Sequence, residues 1–238
     1  MEHCKLIRCG NSTQLAASAS RRFLKAQAAR KPASPFCLAL SGGRIAQDLF
    51  SAVADEALAR RQSFAGIHFF WGDERCVPPT DAESNFAAAD QLLFQPLDIP
   101  ENQIHCIRGE QPPAEAAREA AAALCRFAPL NAAGLPVLDL VFLGMGEDGH
   151  VASLFPGESE AVMSSPAIYR PVIGPKPPPR RITLGYGVIA TAKEVWVLAS
   201  GAGKAAALRE SLSPAGKTPL ARVLQARERT LVFTDIRR

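Results

Sequence analysis

Of the four histidines, only His150 stands beside both a carboxylate and a glycine-rich stretch, in Gly144-Met145-Gly146-Glu147-Asp148-Gly149-His150. An imidazole changes charge near neutral pH, and a neighbouring carboxylate can orient it and favour its protonated state. The Asp148/His150 pair therefore reads as a general base. His3 near the terminus, His68 in a strand-like run and His105 in an apolar stretch read as surface or core residues. The GxGxxG spacing of the same stretch invites a dinucleotide, but its context does not. Pro156-Gly157 would break a helix within about two turns, and no strand ending in an acidic ribose ligand follows at the required distance.

Three further segments could receive an anion. Ser41-Gly42-Gly43 lies between the apolar run Phe36–Leu40 and a helical pattern from Arg44. Two glycines admit close backbone approach, and a helix start offers unpaired N–H groups; phosphate is the natural guest, a tight turn with Ser41 near the N-cap the plainer reading. Gly72-Asp73-Glu74-Arg75 follows Ile67–Trp71. There Arg75 could hold an anion while Asp73 or Glu74 orients a partner, or the three charges could form a solvated loop. Lys204, in Ser200-Gly201-Ala202-Gly203-Lys204, falls in the first turn of a helical pattern. A cation there opposes the helix dipole unless an anion joins it. No GxSxG elbow supports Ser-His-Asp catalysis, and no cluster of ligands supports a metal site.

These segments need a scaffold. Strand-like runs span Lys5–Arg8, Phe36–Leu40, Ile67–Trp71, Val137–Leu143, Ala167–Val172, Glu194–Ala199 and Thr230–Thr234, and helical patterns span Thr13–Ala29, Arg44–Arg60, Ser84–Leu93, Ala114–Phe127, Ala202–Leu212 and Leu220–Gln225. The middle strands are nearly continuous in apolar residues, as strands covered on both faces must be. Alternating strands and helices predict one α/β domain over residues 1–238, a doubly wound, mostly parallel sheet with helices on both faces, Rossmann-like in layout. Ligands of such sheets sit beyond the carboxyl ends of the strands, where all the segments above lie. The Pro/Gly-rich piece Pro171–Pro179 reads as a stiff extended connection.

Composition narrows the function. The chain has 238 residues and a net charge of +4, with 27 Lys+Arg against 23 Asp+Glu, too mild and unclustered for a nucleic-acid stripe and better suited to a small anion. No apolar run approaches the roughly 20 residues that span a bilayer, and the start has no evident export or transit signal, so a cytoplasmic protein is expected. Six cysteines without a CxxC pair fit a reduced compartment, with Cys37 as a small core residue.

Taken together, Leu38–Gly43 (LALSGG), Phe69–Phe86 (FFWGDERCVPPTDAESNF), Leu138–Gly157 (LDLVFLGMGEDGHVASLFPG), Lys176–Gly185 (KPPPRRITLG) and Gly201–Leu208 (GAGKAAAL) resemble the 6-phosphogluconolactonase family, within the group that includes glucosamine-6-phosphate deaminase. The Ser153-Leu154-Phe155-Pro156-Gly157 run has the lactonase form, where the deaminases carry phenylalanine-asparagine-glutamate-proline. One departure is Arg44-Ile45-Ala46, where the lactonases usually follow SGG with serine or threonine and then proline. The resemblance implies hydrolysis of 6-phospho-D-glucono-1,5-lactone without a cofactor, by a monomer or small homo-oligomer. It also implies His150 as base, Asp148 or Asp73 orienting it, and Arg75 on the oxyanion or the phosphate. Ser41, Gly42, Gly43, Arg44, Arg181 and Lys204 would hold the phosphate. An amino-sugar phosphate deaminase or isomerase is the alternative, and a non-catalytic sugar-phosphate sensor a more distant one.

Overall fold

The computed structural model describes residues 4–29 and 34–237, so His3 lies outside the described residues. In chain order the elements are β1 (Cys4–Arg8), α1 (Ser12–Ala28), β2 (Phe36–Leu40), α2 (Arg44–Arg60), β3 (Ile67–Trp71), β4 (Asp73–Arg75), α3 (Asn85–Ala89), α4 (Pro113–Phe127), β5 (Leu140–Gly144), α5 (Glu160–Met163), β6 (Tyr169–Ile173), β7 (Arg180–Leu184), α6 (Tyr186–Thr191), β8 (Glu194–Ala199), α7 (Ala205–Ser211), α8 (Pro219–Gln225) and β9 (Thr230–Thr234). Six strands form a parallel sheet in the order β1-β9-β8-β5-β2-β3. From β2 the chain steps outward to β3 and then returns to the other flank of β2 as β5. The order therefore reverses between β2 and β5, which is where a parallel α/β sheet opens a crevice at its carboxyl edge.

Neighbouring residues of β3 show that both faces are covered. Phe69 packs edge-on against Phe94, in the π-helical turn that continues α3, while Phe70 stacks on His105 and reaches Phe127 of α4. Alternate side chains of a strand point to opposite faces, so α4 lies across the sheet from α1 and α2. On the latter face Phe23 of α1 meets Phe142 of β5, which meets Trp196 of β8. The buried apolar residues form one continuous cluster, and Cys37 is fully buried within it.

The structure departs from the expected single sheet. The strand expected over Ala167–Val172 belongs to a second, antiparallel sheet, β4-β7-β6. Nor is the proline-rich segment a connecting spacer. Residues 171–173 are inside β6, and Gly174 donates to the carbonyl of Pro179 to close a hairpin into β7. Asp73-Glu74-Arg75 is likewise a largely buried strand rather than a solvated loop, entered directly from β3 at Gly72. The small sheet stands on the carboxyl edge of the large one, where Gly72 accepts a bond from Leu184 of β7.

Candidate active site

The loops after β2 and β5 meet at the sheet reversal. Ser41 does not cap α2; its Oγ accepts from the backbone N–H of Gly144 at 2.9 Å, tying the two strand ends together. Gly43 is the N-cap instead, with φ 85°, a conformation open to glycine and strained for other residues. Having no side chain, it leaves the first N–H groups of α2 to whatever occupies the cleft in front of them. Gly42 is constrained differently: a Cβ there would fall 1.9 Å from Oδ1 of Asn85. Gly42→Ala should therefore push the loop away from any bound phosphate. Loss of one charge-assisted N–H contact, about 1.5–3 kcal/mol, is expected to raise KM for a phosphorylated substrate by about tenfold or more, read from initial rates.

After β5 the chain folds back tightly, with Gly146 N–H donating to the carbonyl of His150 and Gly149 N–H to that of Gly146. His150 Nδ1 lies 2.5 Å from Asp148 Oδ1, which also accepts the His150 backbone N–H at 3.1 Å. A carboxylate only accepts, so the proton sits on Nδ1 and the neutral ring keeps a lone pair on Nε2. Partial burial raises the Asp148 carboxyl, but the bonds from His150 outweigh it and hold Asp148 below the usual aspartate range. Gly146 must be small, since a Cβ there would fall 2.1 Å from the imidazole. The loop is buttressed by Thr218, against Gly149, and by Leu220 N–H donating to the Gly149 carbonyl. Phe155 packs on the ring with centroids 5.0 Å apart, and the Arg181 guanidinium lies over the same phenyl at 5.6 Å.

Asp148, not Asp73, is therefore the carboxylate on His150. Asp73 is buried in β4, where its Oδ2 accepts from the fully buried Ser153 Oγ at 2.5 Å. Glu74, only 2% exposed, takes no part in orienting a partner in the cleft. Its two oxygens accept from the backbone N–H groups of Arg75, Asn85 and Phe86 and from Ser84 Oγ, capping α3. Burial pushes its carboxyl up to about 7, against the lowering effect of the Asn85, Arg75 and Phe86 N–H groups. Since the fold favours the protonated form, the stability Glu74 contributes is complete below the ordinary value of 4.5 and is lost as pH rises through about 7. The urea midpoint should fall across that window and Glu74→Gln, which cannot ionise, should flatten the fall. An unchanged slope in the variant would place the titration elsewhere.

Four cations line the same cleft of about 480 Å³: Arg44, Arg75, Arg181 and Lys204. Arg75 Nη1 is held by the carbonyl of Glu83 at 2.7 Å and its carboxylate at 3.1 Å, while its buried Nε has no partner among the described residues. Arg181, paired across the strands with Arg75, is only 7% exposed and is held by the carbonyls of Pro178 and Lys176. Burial first, and then the Arg75 charge, push its guanidinium below the usual arginine range. Lys204, closing the single 3-10 turn before α7, is lowered by burial and then by Arg44, with Glu147 and Asp235 opposing. Among the described residues neither Arg181 nor Lys204 forms an ion pair. Partly desolvated cations that repel one another are what an anionic guest would relieve.

Ser41, Gly42, Gly43, Arg44, Asp73, Arg75, His150, Arg181 and Lys204 thus all line one cleft, and Asp148 sits behind His150. Sequence reasoning missed Asn85 and Phe155 as parts of this site. Asn85 entered only as part of the Phe69–Phe86 segment, and Phe155 only within the Ser153–Gly157 run. Among the described residues no group of His, Cys, Asp and Glu could hold a metal.

With this geometry in place, comparison with known proteins is informative. The family model for glucosamine-6-phosphate isomerases/6-phosphogluconolactonase matches residues 10–232. A 6-phosphogluconolactonase of Streptomyces coelicolor is 37% identical over 225 residues, covering 90% of this chain and 84% of its own length. The solved structure of 6-phosphogluconolactonase from Trypanosoma brucei superposes with a TM-score of 0.82 at 30% identity, over 96% of this chain and 94% of that one. A monomeric glucosamine-6-phosphate deaminase superposes at 0.81 with 21% identity, over 97% and 96% of the chains, a likeness of fold alone.

Proposed function

The chain belongs to the glucosamine-6-phosphate isomerase/6-phosphogluconolactonase family and is an enzyme of its lactonase branch; we propose that it hydrolyses 6-phospho-D-glucono-1,5-lactone to 6-phospho-D-gluconate, in the oxidative pentose phosphate pathway, with His150 as general base on water. The observation that carries this reading is the Asp148–His150 pair at the wall of a cleft that Arg44, Arg75, Arg181 and Lys204 also line. A lactone is an activated ester, so water suffices as nucleophile once its proton has somewhere to go. Water attacks C1 and gives a proton to Nε2, while Asp148 stabilises the imidazolium through Nδ1–H. The C1–ring-oxygen bond then breaks and the same proton passes from Nε2 to that oxygen. Atoms balance without a covalent enzyme intermediate.

The 6-phosphate would sit at the start of α2 against Gly42, Gly43 and Arg44, with Lys204 and Arg181 completing its shell. Binding energy gained there holds C1 against the imidazole, the proximity effect of a remote anchor. Arg75 adds its charge to the same cleft. Asp73 does not touch the ring; through Ser153 it fixes the segment just after His150. Arg44 stands where the lactonases usually carry serine or threonine and supplies a cation in place of a hydroxyl.

Two incubations separate this reading from its alternatives. Freshly generated 6-phosphogluconolactone should open faster with the protein than without it, and glucosamine 6-phosphate should release no ammonia. Ammonia release would move the chain to the deaminase side. Binding of 6-phosphogluconate without acceleration of lactone opening would make it a sensor.

A further inference from the structure

Asn85 is the first residue of α3 and only 4% exposed, yet it lines the cleft. Its backbone N–H is fixed by Glu74 Oε1 at 2.8 Å, and its side-chain Nδ2 donates to the backbone carbonyl of Asp73 at 2.9 Å. Those bonds settle the orientation of the amide, leaving Oδ1 against Gly42. Among the described residues Oδ1 accepts no hydrogen bond, and it is not among the atoms sealed from solvent without a partner. It is thus an oriented acceptor reachable from the cleft, on an otherwise buried side chain. Its position is also informative. Asn85 touches the loop before α2 on one side and Asp73 on the other, and Asp73 is tied to Ser153 on the segment that follows His150. The amide oxygen therefore lies on the wall joining the phosphate end of the cleft to the reacting end.

We infer that Asn85 is a specificity-determining residue whose Oδ1 accepts a hydrogen bond from a secondary hydroxyl of the sugar, between the phosphate and C1. The inference rests on the lactonase reading and deepens it. A rigid acceptor prefers a substrate that carries the hydroxyl over one that lacks it, because the unpaired oxygen would otherwise lose a water without replacement. Neither phosphate grip nor proton transfer provides that discrimination.

The test compares 6-phosphogluconolactone with its 2-deoxy, 3-deoxy and 4-deoxy analogues, in the wild-type protein and in Asn85→Ala, each corrected for spontaneous opening. In the wild type, kcat/KM for one analogue should fall by about tenfold or more relative to the parent. In Asn85→Ala the parent should fall to near that analogue's rate, so that the ratio approaches one. A purely structural role would lower parent and analogue together and keep the ratio. Should Asn85→Ala fail to fold, the wild-type comparison still decides: equal kcat/KM for the parent and all three analogues overturns the inference. Absence of any lactone opening by the wild type would overturn the lactonase reading and this inference with it, whereas normal opening with no discrimination overturns the inference alone.

Discussion

Replacing His150 with alanine is expected to lower kcat by about 10²- to 10⁴-fold while leaving KM for the phosphorylated lactone within a few-fold of its starting value. The imidazole moves a proton only as the transition state forms, so its removal leaves the phosphate contacts of the ground state intact. Asp148→Asn is the companion variant. Asparagine can donate to Nδ1, which would move the ring proton to Nε2 and leave no lone pair facing the water; a loss of about 10²-fold or more in kcat is expected, without unfolding. Because Asp148 is held below the usual aspartate range, it stays ionised as pH falls and keeps the ring oriented. Steady-state rates with freshly made lactone check both variants, and near-normal turnover in His150→Ala would remove the ring from the chemistry.

The second large effect is on affinity. Lys204→Ala should raise KM for the phosphorylated lactone by about 10- to 100-fold, the range given by a charge-assisted contact of about 1.5–3 kcal/mol. The same variant should leave kcat/KM for unphosphorylated glucono-1,5-lactone unchanged, since that substrate offers the lysine no partner. An unchanged KM for the phosphorylated form would return Lys204 to the surface. Arg181→Ala is a less selective probe, because the guanidinium also packs on Phe155, which in turn packs on His150. Both KM and kcat should move in that variant.

The large sheet was legible in the sequence because its physics is local. FCLAL and VWVLA are short, apolar and separated by helical patterns, and β2, β3, β8 and β9 lie where those runs predicted them. The small sheet was not legible, because what makes it a sheet is remote. Asp73-Glu74-Arg75 reads as an anion site or a solvated loop, and nothing in it announces a strand until Ser153 reaches Asp73, the start of α3 reaches Glu74, and β7 pairs with all three residues. Prolines in 171–179 argued for an extended spacer, yet the one within β6, Pro171, lies on an edge strand, where a missing N–H costs little.

The candidate site shows the same division. Gly146, Asp148 and His150 are neighbours in sequence, so their mutual geometry could be anticipated from one short loop. Whether Asp148 or Asp73 met the ring could not, because Asp73 enters from another sheet and its partner, Ser153, is 80 positions away. Asn85 escaped notice for a related reason. A buried amide between two loops has no signature of type or spacing, and only its fit against Gly42 reveals it.

The most direct test of the central claim is the pH dependence of lactone opening, followed from acid to neutral pH in the wild type and in His150→Ala, each rate corrected for spontaneous opening. If His150 is the base, wild-type kcat should show an acid limb that the residual kcat of the variant lacks. An acid limb that survives unchanged in His150→Ala would contradict the account.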